Sequence, residues 1–211
     1  MIERFTDRID AGRQLGEHLR LLALGENPLV LALPRGGVPV GYEVAKAIGA
    51  ELDILVVRKL GLPMHPELAM GAISSGGSEY LNQEVISMAG VTPHEIDAVR
   101  QAELAELNRR EQRYRGNRAR PNLKDRTVIL VDDGIATGAS MLTAIQAVRL
   151  MSERRIVVAI PVAPADARTT FKSVVDDYVC LMEPQAFGAV GEFYYLFDQV
   201  EDQEVIDLLN R

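Results

Sequence analysis

Cysteine is almost missing from this chain: Cys180 stands alone among 211 residues, so no internal disulfide can staple the fold. Histidine is scarce too. His18, His65 and His94 lie far apart without the paired spacing of zinc ligands, which argues against a transition metal held by the protein itself. No apolar run is long enough to cross a bilayer as a helix, and the first residues carry no charged-then-apolar leader pattern. The expected location is the cytoplasm, with no membrane partner. Positive charge is also short: the net charge of -7 opposes a broad nucleic-acid surface, because phosphate contacts reward clustered Lys and Arg.

What is present suits one sizeable core. The chain is 47% hydrophobic and 25% charged, and its length fits one elaborated domain or a domain with a lid. Short runs of Val, Ile and Leu alternate with helical patterns. That is the signature of an α/β fold, a mostly parallel twisted sheet flanked by helices. The run Leu29-Val30-Leu31-Ala32-Leu33 stops at Pro34-Arg35-Gly36-Gly37 and gives way to a helix with Val40, Val44 and Ile48 on one face. A second run, Leu52-Asp53-Ile54-Leu55-Val56-Val57, is expected to be a strand buried on both faces, with Arg58 and Lys59 at its carboxyl end. Residues 61–82 turn to Pro, Gly and Ser and read as a mobile loop or hairpin, which contains His65 and Glu67.

A long amphipathic helix is expected over about 92–116, with Pro93 near its start and Ile96, Val99, Leu104, Leu107 and Tyr114 on one face. Its charges read as a solvated surface: Glu106 is expected to be indifferent to any ligand, and the cations Arg113 and Arg115 suit a helix C-terminus. Further strands are expected at 156–162 and 178–182. The tail then gathers four of the eleven Phe and Tyr residues within 193–197.

The most informative segment runs from Val128 to Ser140. Four apolar residues enter Asp132 and Asp133, at the carboxyl edge where open α/β sheets place ligands. Two neighbouring carboxylates offer acceptors but no donors, which suits the vicinal hydroxyls of a sugar. Gly134, Ile135, Ala136, Thr137, Gly138, Ala139 and Ser140 follow, with free amides, two hydroxyls and the start of a helix. That combination suits a phosphate.

Across its thirteen positions this segment resembles the diphosphate-sugar motif of the type I phosphoribosyltransferase family. The resemblance implies a donor, 5-phosphoribosyl-1-diphosphate, whose ribose lies on Asp132 and Asp133 and whose 5-phosphate lies on the loop from Gly134 to Ser140. Arg35, Gly36 and Gly37 are similar to the family's diphosphate turn, which commonly holds a cis peptide, here expected near Arg35-Gly36. Arg58 and Lys59 resemble the basic pair that faces the leaving diphosphate. Magnesium would enter with that diphosphate, with Asp132 and Asp133 nearby and no metal held by the protein alone.

The implied activity is transfer of the phosphoribosyl group to a nitrogenous acceptor, with release of pyrophosphate. A competing reading is a non-catalytic sensor of the sugar diphosphate or of a nucleotide. Ala136 departs from the acid carried there by the 6-oxopurine enzymes, so the acceptor stays open. The whole of 1–211 is expected to form one domain, with a core of about 25–182, a helical insertion at about 92–116 and a hood drawn from 1–24 and 183–211. Within that hood Phe187, Phe193, Tyr194 and Tyr195 are candidates to stack on a base. The partners are small molecules, and the residues leave the oligomeric state open, a homodimer included.

Overall fold

Strands that are apolar on both faces are stable only in the middle of a layered sheet, and the buried runs Leu29–Ala32, Thr127–Val131 and Arg155–Val162 take that position. The computed structural model describes residues 4–151 and 155–211. In chain order it contains α1 (Arg8–Leu19), β1 (Leu29–Ala32), α2 (Gly37–Ile48), β2 (Glu51–Ile54), β3 (Val57–Leu62), β4 (His65–Ser74), β5 (Glu79–Leu81), α3 (Gln83–Ala89) and α4 (Pro93–Arg115). Next come β6 (Thr127–Val131), α5 (Ala139–Arg149), β7 (Arg155–Val162), α6 (Ala167–Lys172), β8 (Asp177–Met182) and α7 (Asp202–Leu209).

Five strands form a parallel sheet in the order β2-β1-β6-β7-β8. Ala32 is in register with Ile54 on one side and with Val131 on the other. The turns after β1, β2 and β6 therefore leave the sheet at the same edge. On one face Leu15 and Leu19 of α1 and Val40 and Val44 of α2 cover Val30, Ile129 and Val157. On the other, Met141, Ile145 and Val148 of α5 and Phe171 of α6 cover Leu31, Leu130 and Val158. Among the described residues no helix is long and apolar enough to cross a membrane.

One expected element differs in the structure. The apolar run 52–57 is not one strand. It leaves the parallel sheet after Ile54, because Val56 turns to Ser75: its N–H donates to Ser75 Oγ (3.0 Å) and its carbonyl accepts from Ser75 N–H (2.8 Å). Arg58 and Lys59 consequently sit at the start of β3 rather than at the end of β2. The segment 61–82, expected as a mobile loop or hairpin, takes hairpin form and builds a second, antiparallel sheet in the order β3-β4-β5. Its inner residues Leu60, Leu62, Met70 and Ile73 pack with Leu107 and Tyr114 of α4 and Val205 of α7.

The long helix keeps close to its expected bounds, and its start has a clear cause. Thr92 and Glu95 form a reciprocal capping box, with Pro93 in the first turn, so the helix's leading N–H groups are satisfied there. At its other end Arg115 is buried against Asp53 and Glu111, which ties α4 to β2.

The expected hood divides. Residues 1–3 lie outside the described residues. Residues 8–19 form α1, whose Leu15 and Leu19 belong to the core layer on α2, while Arg8 at its start reaches Asp133 at the sheet edge. Phe5 does join the tail: its N–H donates to Phe193 O and its carbonyl accepts from Tyr195 N–H, both at 2.9 Å. Phe187 stacks on Phe193 at 5.3 Å, and Phe193 and Tyr194 are buried. These aromatic rings pack on one another, Phe187 remaining half-buried and Tyr195 largely exposed.

Candidate functional site

The site is assembled where three strands end together. Beyond β6 come Asp132 and Asp133, beyond β1 comes Pro34-Arg35-Gly36-Gly37, and beyond β2 the chain runs through Leu55 and Val56 to Arg58. A cavity of about 190 Å³ lies between them, with Pro34, Arg58, Asp132 and Ser140 on its wall. Arg110 and Tyr114 of α4 complete that wall.

The two acids are held in different ways. Asp132 Oδ1 accepts from the Asp133 backbone N–H at 2.8 Å. Asp133 Oδ2 accepts from Arg8 Nε at 2.8 Å, and the Asp133 carbonyl accepts from the Tyr194 hydroxyl. Arg8 itself donates to Asp198 O at 2.7 Å and lies 3.9 Å over the Phe197 ring. Burial, and then the neighbouring charge of Asp133, push the Asp132 carboxyl well above the usual carboxylate range. Burial raises Asp133 as well, and the Arg8 guanidinium opposes that rise. Both residues keep some contact with solvent at the rim; the protein packed around them supplies the desolvation.

The glycine turn is shaped by these acids. A Cβ on Gly36 would lie 2.0 Å from Asp133 Oδ2, and one on Gly37 would lie 2.7 Å from Val131 O and 2.9 Å from Asp132 Cα. Only hydrogen at these positions lets α2 start against the end of β6. The cis peptide expected near Arg35-Gly36 is the adjacent bond, Pro34-Arg35. Arg35 faces α7, with Nη1 3.7 Å from Asp202 Oδ1.

The loop after the acids splits into an anchored half and an open half. Gly134 lies against Val190 and Val162, and Ile135 is buried in the core with its N–H donated to Val162 O at 2.9 Å. Ala136, Thr137, Ala139 and Ser140 are exposed. Gly138 has φ 78 and caps α5 in the left-handed region, without a side-chain bond to the first turn. Thr137 Oγ1 lies 3.5 Å from Ala139 N. The first amides of α5 have no acceptor within the helix.

The basic pair is separated by the β-strand alternation. Arg58 reaches the cavity and is bound by Glu103 of α4 at 2.6 Å. Lys59 lies instead on a neighbouring cleft of about 420 Å³ shared with Ala139 and Ser140, and donates to Glu67 O at 3.1 Å. Glu67 is almost wholly exposed, and His65 is an exposed strand end. Of the helix-end residues, Tyr114 donates to Asp202 Oδ1 at 2.7 Å and its phenol is pushed up to about 12, first by burial and then by that carboxylate. Arg113 pairs with Asp202 Oδ2 at 2.7 Å, while Arg115 is turned inward onto Asp53.

Sequence reasoning missed Arg8, Arg110 and Asp202, and it offered Tyr194 for stacking rather than for the bond of its hydroxyl to the Asp133 carbonyl. Arg8 lies 125 residues from its partner Asp133, and no local pattern links them. Arg110 was hidden among the charges of α4, and Glu106, expected to be remote, holds it on the cavity wall at 2.6 Å. Among the described residues no group of three or more His, Cys, Asp and Glu could hold a metal ion.

Residues 2–198 match the model of the phosphoribosyl transferase domain family. The chain is 47% identical over 207 residues to "Putative phosphoribosyl transferase Rv0571c" of Mycobacterium tuberculosis strain H37Rv, an alignment that covers 98% of this chain and 46% of that protein. The corresponding protein of strain CDC 1551 gives the same figures. The chain thus spans about half the length of the curated relatives it matches. Among solved structures, TT1426 from Thermus thermophilus superimposes with a TM-score of 0.90 at 43% identity, over 98% of this chain and 97% of that one. The family match takes in β1, β2, β3, α4, β6 and α5 and ends just before Asp202 of α7, and the chain belongs to the phosphoribosyl transferase family.

Proposed function

We propose that this chain transfers the 5-phosphoribosyl group of 5-phosphoribosyl-1-diphosphate to a nitrogenous acceptor and releases pyrophosphate. The observation that carries the reading is the common cavity: Pro34, Arg58, Asp132 and Ser140, from three separate segments, line one space of about 190 Å³. In this reading Asp132 and Asp133 accept from the ribose hydroxyls. The amides and hydroxyls of Ala136, Thr137, Gly138, Ala139 and Ser140 hold the 5-phosphate at the start of α5. Arg58 and Arg35 stabilise charge on the departing diphosphate. Most of the catalytic effect is then positioning and electrostatics.

The donor set suits a divalent cation that arrives with the substrate. The two acids lie side by side with raised proton affinity, which favours added positive charge and which the Arg8 guanidinium on Asp133 partly offsets; a divalent cation there would draw its other oxygen ligands from the diphosphate and water. Magnesium on the diphosphate would neutralise part of its charge. The acceptor remains a base-like nitrogen nucleophile of unspecified identity.

One observation favours a second reading, a sensor without turnover. The cations meant for the leaving group already hold carboxylates: Arg58 with Glu103, Lys59 with Glu67 and Arg35 with Asp202. Pyrophosphate release, measured with the sugar diphosphate, magnesium and a panel of nitrogenous bases, separates the two. Release with one acceptor, together with strong loss of donor binding in Asp133→Asn, is the expected result. Tight binding without release for any acceptor would establish the sensor, and equal donor affinity in Asp133→Asn and the parent would overturn the site.

A further inference from the structure

Helix α4 brings an ordered stripe to the cavity. Glu103, Glu106, Arg110 and Tyr114 are spaced by three, four and four residues, which aligns them along one face of a helix. Arg110 and Tyr114 line the cavity with Arg58 and Asp132, while Glu103 and Glu106 stand behind the two arginines. The two guanidinium groups differ in what they have left to offer. Arg58 gives both Nε and Nη2 to Glu103. Arg110 gives only Nε, to Glu106 Oε1 at 2.6 Å, so among the described residues its two Nη groups are uncommitted donors.

We propose that Arg110 binds the diphosphate of the sugar donor, a role that rests on the phosphoribosyl-transfer reading above. A guanidinium fixed at Nε by a carboxylate presents its remaining N–H groups in one plane, the geometry that meets two oxygens of a phosphate at once. Glu106 sets that plane. The neighbouring Arg109 supplies the contrast: it bonds the same Glu106 through Nε at 2.7 Å and Nη2 at 2.9 Å, points to solvent and does not line the cavity. Two adjacent arginines on one carboxylate thus have different assignments, one to the ligand and one to the helix surface. The long helix becomes a working wall of the site in addition to a packing element for the antiparallel sheet.

The test compares Arg110→Met with Arg109→Met in the full chain, by calorimetry with two probes. Inorganic pyrophosphate with magnesium reads the cavity, and ribose 5-phosphate reads the loop after Asp133. The expected result is that Arg110→Met weakens pyrophosphate at least about tenfold, the loss of one charge-assisted contact, with ribose 5-phosphate unchanged. Arg109→Met leaves both affinities as in the parent. Arg110→Lys recovers part of the charge effect without the two-oxygen geometry and falls between. Equal pyrophosphate affinity in Arg110→Met and the parent overturns the assignment while leaving the transfer reading in place. An equal loss in Arg109→Met also overturns it, since general charge would then suffice. A parent chain that binds neither probe overturns the transfer reading itself, and the assignment with it.

Discussion

Alanine at Gly36 and at Gly37 should fail for different reasons, and the difference can be measured. Gly36 has φ -58 and ψ -33, an ordinary helical conformation, so alanine there carries no backbone strain and its whole effect comes from the added Cβ. That atom would lie 2.0 Å from Asp133 Oδ2, the oxygen that Arg8 holds at 2.8 Å. Asp133 can escape only by turning away from Arg8, which loses a charge-assisted bond of about 1.5–3 kcal/mol. At Gly37 the obstacles are the Val131 carbonyl and Asp132 Cα. These are backbone, so β6 and α2 must separate, at about 1–3 kcal/mol for a tightly packed contact. At about 2–4 °C per kcal/mol for a chain of this size, both variants should melt measurably lower. The assay is urea denaturation in a double-mutant cycle with Arg8→Met. If the Gly36→Ala cost is the broken Arg8–Asp133 pair, it should largely vanish once Arg8 is gone, whereas the Gly37→Ala cost should persist and add. Additivity of Gly36→Ala with Arg8→Met would refute the reasoning.

Arg8→Met by itself leaves Asp133 without its cation; both side chains are only 12% and 15% exposed, and the loss should be about 3–5 kcal/mol by urea denaturation, with a loss under about 1 kcal/mol counting against a structural pair. Because burial raises Asp132 above its usual 3.8, the folded chain holds that proton more tightly than the unfolded chain does. Its contribution to stability is therefore fully present below that value and is lost as the pH rises through the raised one. Asp132→Asn should flatten the decline in urea midpoint above about pH 4, and parallel curves for parent and variant would contradict it. Burial pushes the Cys180 thiol up to about 11, which leaves about one part in a thousand as thiolate at pH 8. Iodoacetamide should label it only in urea, and rapid labelling of the native chain would show the thiol to be accessible.

Much of the architecture was written in local pattern. The doubly buried strands 29–32, 127–131 and 155–162 announce themselves because a sheet covered on both faces admits little but Val, Ile, Leu and Ala. Asp132 and Asp133 stand out for the converse reason: two acids directly after such a run have to emerge at the rim. The break between β2 and β3 was illegible because Leu55 and Val56 are as apolar as the strands on either side, and the decision to leave one sheet for another was taken by Ser75, about twenty residues on. Arg8 and Tyr194 reach Asp133 from opposite parts of the chain, a convergence that only the packing of α1 and the tail creates. Arg110 was invisible because a charged helix face looks the same whether it meets water or a cavity.

Ile135 gives the loop proposed to hold the 5-phosphate a property that its exposed residues could not supply. With its side chain in the core and its N–H on Val162 O, the first part of the loop is already ordered before any ligand arrives. Fixing a residue's backbone costs about 1–2 kcal/mol in entropy, and here that cost falls on folding rather than on association. In the proposed site a side chain turned into the core thereby carries part of the affinity. Loosening the core beneath the loop would weaken binding with every contact to the phosphate still available.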